Sequence, residues 1–408
     1  MTAWLETPLI RFVWLYCALY MAFGMSSPFL PSLLASRGIE PEQLGVIFAT
    51  ATATRLLAAP IAARLADRFG ALRFVLATCA VAAAAATLGY LSASQFQIVL
   101  MVAVLQAAAL APTTNLADAL ALAASKAKSR SGFEYGWVRG AGSAAFIVGS
   151  VVAGAAISGY GLASILWLQA ALLAAVPWAV GHVPAAAASS DTADSQTRVG
   201  VLALARSPVF RRVVLFAALV LGSHAMHDTF AMIRWRAAGI PPWETSLLWS
   251  LAVAAEVVVF FLIGPRLLDV LTAPGCLVLA ALCGAVRWGV TALSADVLAV
   301  ALTQPLHGIT FALLHLAAMQ LIARVVPGQL AATAQAIYGT VGIGLATASL
   351  MLLSGWLYAH LGPTAFLAMS LLCLGALPLA LGLNRLLAGP HRAPSPRATK
   401  AQAQRSLD

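Results

Sequence analysis

Charge is what this sequence has least of: Asp, Glu, Lys and Arg make up 9% of 408 residues, against 61% hydrophobic side chains. A soluble domain carries about 25% charged residues, so a water-facing globule is excluded for want of polar surface. Cysteine is sparse too. The five cysteines (Cys17, Cys79, Cys276, Cys283 and Cys373) are odd in number and lie inside apolar stretches. They supply no disulfide framework and no metal-ligand spacing. Neither a nucleophile constellation nor a phosphate loop is present, which argues against an enzyme, and no cofactor or metal is implied. No basic stretch precedes the first apolar run, and that run is too long for a signal-peptide core. It is expected to remain as the first spanning helix.

What the sequence has instead is apolar runs, with a mean hydropathy of +0.90. They fall at 10–34, 43–62, 73–91, 96–122, 135–158, 162–183, 212–233, 244–263, 273–293, 297–323, 330–357 and 364–386. A helix that crosses a bilayer needs about 20 apolar residues, and twelve use roughly 260, leaving only short connections and no separate soluble domain. Turn residues punctuate them: Gly159–Tyr160–Gly161, Pro241–Pro242, Pro327–Gly328 and Gly362–Pro363. The expected fold is therefore an all-α membrane protein of twelve transmembrane helices in two six-helix bundles. The bundles would span 1–183 and 212–388. The stretch 184–211, small and polar, reads as a cytoplasmic linker, and 389–408 as a disordered cytoplasmic tail.

The net charge of +10 sits in the gaps between runs, so it reads as a topology signal rather than a nucleic-acid surface. With both termini in the cytoplasm, nineteen of the 24 basic residues fall inside or at the inner boundary. Only Arg37, Arg234 and Arg236 fall outside, and Arg55 and Arg287 lie within helices. This obeys the positive-inside rule and suits a multi-pass protein of a bacterial inner membrane. The halves also echo each other. Arg64–Leu65–Ala66–Asp67 matches Arg266–Leu267–Leu268–Asp269, and Tyr135–Gly136 matches Tyr338–Gly339, at nearly the same offset. A duplicated six-helix unit is how many transporters build a site at the midplane.

The segment Ala63–Arg64–Leu65–Ala66–Asp67–Arg68–Phe69–Gly70 resembles the loop 2–3 signature of the major facilitator superfamily, with Ala63 in place of its first glycine. Arg64, Asp67, Arg68 and Gly70 would form its gating motif, with Asp67 capping the next helix or pairing with an Arg. Further segments narrow the resemblance: Leu116–Ala117–Asp118, Tyr135–Gly136–Trp137–Val138–Arg139, Ala255–Glu256, Val286–Arg287–Trp288, Leu306–His307, His315 through Met319 and Gln335 through Tyr338. Together they look like the phenylpropionate-permease branch, related to the lactose-permease-like proton symporters. The resemblance implies proton-coupled uptake of a small organic solute by a monomer in the lipid bilayer, with an aromatic carboxylate as leading candidate. A proton-coupled sugar or nucleoside symporter and a drug- or metabolite-exporting antiporter are the alternatives. Gly149 through Gly154 contains no proline, which speaks mildly against the antiporter.

Ionisable groups deep in a membrane cost at least about 2.5–3.5 kcal/mol each on insertion scales and call for a partner or a task. Glu256, Asp118, Asp228, His307 and His315 are the candidates for proton coupling. Burial favours a neutral carboxyl and a nearby cation the charged form, so a Glu poised between the two can take up and release a proton. Asp118 and Arg139 should meet, either as a static ion pair or as a site charge. Glu256 and His315 should share a level. Arg287 should pair with an acid, Asp228 being at similar depth, or contact an anionic solute. Arg139, Arg287, Tyr20, Trp249, His224, Tyr338 and Gln304 are the candidate substrate contacts. His224 and His227 have i, i+3 spacing but no third ligand, so no metal site is expected. In the lactose-permease-like family an acid follows the helix-10 histidine by three residues, where this chain has Thr310; the phenylpropionate branch is aromatic where this chain has His227–Asp228. That departure points toward a more polar solute.

Overall fold

The computed structural model describes residues 7–125, 133–184 and 204–388, and among them every regular element is a helix. The tail 389–408 and most of the linker lie outside the described residues. Ten stretches are long and apolar enough to cross a membrane. Two of them, Pro242–Leu293 and Gly328–Leu387, run to 52 and 60 residues, roughly 80–90 Å of helix at 1.5 Å per residue against a hydrocarbon core of about 30 Å. Both are broken, the first at Thr272 (φ 63°, ψ 162°) and the second at Gly362 (φ 55°). Only glycine enters the left-handed region freely, so Gly362 ends its helix cheaply, while Thr272 is the one described non-glycine residue held there.

The helices are α1 (Pro8–Ser26), α2 (Leu30–Ala35), α3 (Pro41–Arg68), α4 (Leu72–Gly89), α5 (Phe96–Ser125), α6 (Tyr135–Tyr160) and α7 (Ser164–His182). Then come α8 (Pro208–Val220), α9 (His224–Ala237), α10 (Pro242–Val258), α11 (Gly264–Leu293), α12 (Val297–Thr303), α13 (Leu314–Val325), α14 (Ala331–Ile337), α15 (Ala346–Leu361) and α16 (Phe366–Ala388). Proline opens several, at the first turn where its missing N–H is not needed. The start of α3 adds a capping box between Glu40 and Gln43, and Ser207 accepts from Phe210 N at the start of α8.

Three expectations need correction. The run 10–34 is not one rod but α1 and α2, parted at Ser27–Phe29, where Pro28 cannot continue the hydrogen-bond ladder. The run 212–233 is likewise split between α8 and α9 by a turn through Gly222 and Ser223. The segments expected as loops after the second and eighth runs are helical: Arg64, Asp67 and Arg68 occupy the last two turns of α3, and Arg266 and Asp269 the first turns of α11. Only Gly70, at φ 59°, makes the turn. Asp67 neither caps α4, whose N-cap Ala71 has no side-chain bond, nor forms an ion pair with any described residue.

Within residues 8–182, α1 packs on α6 and α7, and α5 on α3 and α4. Within 208–388, α11 packs on α16 and α13, and α8 on α16. Between these groups the main seams are α3 with α15 and α6 with α10, joined by α2 with α9. Lipid offers little hydrophobic drive for helices to associate, so close approach depends on small residues. A Cβ on Gly45 would sit 2.8 Å from the Met351 carbonyl oxygen and 3.0 Å from Gly355 Cα, and one on Gly154 would sit 2.4 Å from Ser246 Oγ. These contacts lie toward the end of the bundle that holds the α2–α3 and α9–α10 turns. Toward the opposite end, which carries Arg68, Tyr135 and Arg266, the walls bound a cavity.

Candidate functional site

Two polar clusters and one open cavity occupy the middle of the helix assembly. The first cluster hangs on Asp118 of α5. Its Oδ1 accepts hydrogen bonds from the phenols of Tyr16 and, at 2.8 Å, Tyr135, and lies 3.8 Å from the Arg139 guanidinium. Arg139 in turn donates to the Tyr20 hydroxyl and lies over the Tyr20 ring, 5.2 Å from its centroid. Tyr16 and Tyr20, one helical turn apart on α1, stack at 5.6 Å. The expected meeting of Asp118 and Arg139 is thus present, with two phenols that the sequence reading did not assign to it. Asp118 and Arg139 keep 31% and 42% of their side-chain surface exposed.

The second cluster is built around Arg287 of α11, which is 0% exposed. Its Nη atoms lie 3.1 Å from His307 Nδ1, 3.3 Å from His227 Nε2 and 3.1 Å from Gln304 Oε1. It also lies 4.5 Å from the centroid of the Trp288 ring. The expected pairing of Arg287 with Asp228 is corrected: its direct partners are two imidazoles and an amide, because α9 turns His227 rather than Asp228 toward α11. Guanidinium only donates, so His307 Nδ1 and His227 Nε2 accept, and each ring carries its proton on the other nitrogen. His307 Nε2 then lies 3.3 Å from Glu256 Oε2, and His227 Nδ1 faces Asp228 Oδ1 at 3.5 Å. The result is a row of polar groups, Asp228, His227, Arg287, His307 and Glu256, hydrogen-bonded at its centre and with a carboxylate near each end, where His227 Nδ1 has no hydrogen-bond partner among the described residues. Both ends remain accessible, Asp228 at 46% and Glu256 at 26% of side-chain surface.

The other candidates frame this row. Trp249 stacks on His227 at 4.9 Å. His224 places Nδ1 against the Val220 and Leu221 carbonyls and Nε2 3.1 Å from Thr310 Oγ1, so Thr310 has become a partner for a histidine. His315 does not hold Glu256: His307 does, while His315 Nδ1 lies 3.5 Å from the Tyr338 hydroxyl and stays within electrostatic range of Glu256, as does Arg139 from across the interior. No group of three or more potential metal ligands exists among the described residues.

The cavity, of about 460 Å³, is walled by α1, α3, α5 and the π-helical segment Tyr338–Leu345, through Phe23, Ser27, Arg55, Leu56, Asn115 and Thr340 among others. In the sequence Arg55 stands out only as a lone arginine amid an apolar run.

Helices that meet at one end and diverge around a polar interior, with ionisable groups at membrane depth, define a multi-pass membrane transporter. The sequence model of the MFS_1 like family matches residues 9–368, and the chain belongs to that family. It is similar to the probable 3-phenylpropionic acid transporter of Escherichia coli (strain K12), 30% identical over 368 residues that cover 89% of this chain and 94% of that one. Among solved structures it superposes on the nucleoside transporter NupG with a TM-score of 0.80 at 14% identity, covering 93% and 99% of the two chains. A point mutant of that protein gives 0.81 at 17% identity, covering 92% and 98%. A bacterial homologue of the human lysosomal transporter Spinster, inward-facing and unoccupied, gives 0.68 at 15% identity, covering 93% and 96%.

Proposed function

We propose that the chain is a proton-coupled importer of a small organic carboxylate, with an aromatic acid such as 3-phenylpropionate as the leading solute, working by alternating access. Dividing each of the two over-long helical stretches at its break turns ten candidate crossings into twelve. An even count puts both termini on one face, and the excess of arginine at the α3–α4, α7–α8 and α16 ends makes that face cytoplasmic. The halves are 1–183 and 212–388, joined on the cytoplasmic side, and their tight seams then close the periplasmic side. The described form is open to the cytoplasm.

The single observation that carries the coupling is the polar row with Glu256 at one end and Asp228 at the other. Arg287 cannot give up its proton, so it fixes the tautomer of both imidazoles, each of which turns its other nitrogen toward a carboxylate. A proton arriving on Glu256 removes the negative charge that His307 Nε2 faces, and the electrostatic attraction between them weakens with it. Loss of that attraction between α10 and the turn that carries His307 ties protonation to helix position. In this scheme Asp118, held by two phenols and Arg139, supplies a counter-charge, and Arg139 and Tyr20 remain solute contacts. The 30% identical relative, a probable 3-phenylpropionic acid transporter, supports the choice of solute.

One proton moving with one monoanion carries no net charge, so accumulation should follow the pH gradient alone, about 1.4 kcal/mol or tenfold per pH unit. The test is uptake of labelled 3-phenylpropionate into proteoliposomes with pH and voltage gradients imposed separately. Tenfold accumulation per pH unit, insensitive to voltage, is expected. Uptake that ignores the pH gradient would reject coupling, and a purified protein that carries uridine or lactose but no carboxylate would reject the solute.

A further inference from the structure

We propose that Arg55 anchors the solute's carboxylate, in a subsite formed by Arg55, Asn115 and Thr114 on the wall of the interior cavity, with the remainder of the solute lying along Phe23 and Leu56. This assignment rests on the reading above that the solute is an organic anion. Arg55 is near the middle of α3, some twenty ångströms of helix from either end by the rise per residue. A charge at that depth demands a partner, and every other deep cation has one: Arg139 has Asp118 and Tyr20, and Arg287 has two histidines and a glutamine. Arg55 makes no hydrogen bond and no ion pair with the described residues, and its side chain is exposed into a cavity bounded by α1, α3, α5 and the Tyr338–Leu345 segment.

The neighbours match the chemistry of a carboxylate. A guanidinium offers paired N–H donors in the plane that two carboxylate oxygens occupy. Asn115 can donate a further N–H and Thr114 a hydroxyl, and both side chains line the same cavity without a hydrogen bond to any described residue. Phe23, Leu56 and Leu110 line the same cavity and give apolar surface for a ring. The volume, about 460 Å³, falls within the 300–1,000 Å³ or so typical of small-molecule sites. The site also has a coupling geometry. Arg55 belongs to the first half of the chain, whereas Thr340 on the same wall belongs to the second, and the side chain of Leu56, next to Arg55, meets the position of Gly344 across the seam. An anion held there bears on the surface along which the halves move.

The experiment compares full-length wild type with Arg55→Gln and Arg55→Lys, using 3-phenylpropionate and its neutral amide as probes, in detergent by calorimetry and in proteoliposomes by uptake. The acid should bind Arg55→Gln about tenfold or more weakly than wild type, the scale of a lost charge-assisted contact. Arg55→Lys should recover part of that loss, and the amide should bind wild type and Arg55→Gln alike. Equal binding of the acid to both proteins, or equal loss of acid and amide without rescue by lysine, overturns the subsite. The two readings separate cleanly. Wild-type uptake that ignores the pH gradient, with acid binding still lost in Arg55→Gln, removes coupling and keeps the subsite. Gradient-driven uptake with an unchanged KM in Arg55→Gln removes the subsite and keeps coupling. A wild type that binds neither 3-phenylpropionate nor benzoate removes both.

Discussion

Replacing Gly45 by alanine should tilt the protein toward the form that opens at its α2–α3 end. In the described form the new methyl would lie 2.8 Å from the Met351 carbonyl oxygen, about 0.6 Å short of the 3.4 Å at which ordinary contact begins, and 3.0 Å from Gly355 Cα. Neither obstacle is the tip of a flexible side chain; both are helix backbone, so α3 and α15 must part. Overpacking of this kind costs about 1–3 kcal/mol. Where that cost falls only on the form with the seam closed, the equilibrium moves by roughly 5- to 140-fold. Thr340→Cys on the cavity wall, in a background free of the five native cysteines that still transports, reports the change. Its labelling by a membrane-impermeant maleimide from the α2–α3 side should accelerate by that factor. Gly140→Ala on α6 is the control, since nothing lies within 4 Å of the added methyl. A folded Gly45→Ala protein that labels at the wild-type rate would refute the claim that this seam is the closed gate.

Three other outcomes follow from the clusters. Glu256→Gln should exchange labelled for unlabelled solute across a membrane yet fail to accumulate it under a pH gradient, and intact accumulation would remove Glu256 from coupling. Arg287→Leu should lower the thermal midpoint in detergent markedly, because His227, His307 and Gln304 lose a buried donor together, at about 1–3 kcal/mol for each group left unpaired; an unchanged midpoint would mean water replaces the guanidinium. Tyr16→Phe should weaken the grip on Asp118 by about 1 kcal/mol with the ring stacking on Tyr20 kept, seen as a modest rise in KM for an anionic solute, while Tyr135→Phe and Tyr16→Phe together should cost more than either alone.

How much of this was legible in the sequence follows the range of the interactions. The spans were legible because twenty apolar residues between charges is a local signal. Asp118 with Arg139 was legible because a short connection forces α5 and α6 to run antiparallel. The breaks at Ser27–Phe29 and Gly222 were not, since a run of apolar residues hides a turn whose backbone groups bond within the protein. Arg287 was placed at the right depth but with the wrong partner. Depth is set by counting along a helix, whereas the choice between His227 and Asp228 depends on a rotation of about 100° between adjacent residues of α9. Arg55 was visible as a charge and silent as to purpose, because having no hydrogen-bond or ion-pair partner among the described residues is a property of the assembled walls.

The two halves, alike in outline, divide the work unequally. The first holds Asp118 in place, pinned by Tyr16 of α1 and by Tyr135 and Arg139 of α6. In the second half all three π-helical segments of the described residues occur, at Val259–Ile263, Gly308–Leu313 and Tyr338–Leu345. One begins three residues after Glu256, one directly after His307, and one at Tyr338, the partner of His315. A π turn carries an extra residue and strains the helical ladder, and such turns gather at functional sites. At Gly308 the packing is close as well, for a Cβ there would lie 2.6 Å from the Ala255 carbonyl oxygen, one residue before Glu256. A change of charge on Glu256 therefore acts on two adjoining helices at the places where their ladders are already irregular. Under the proposed coupling, the solute's charge would be met by the first half and the proton by the second, and that asymmetry would give a direction in which one binding event moves the other.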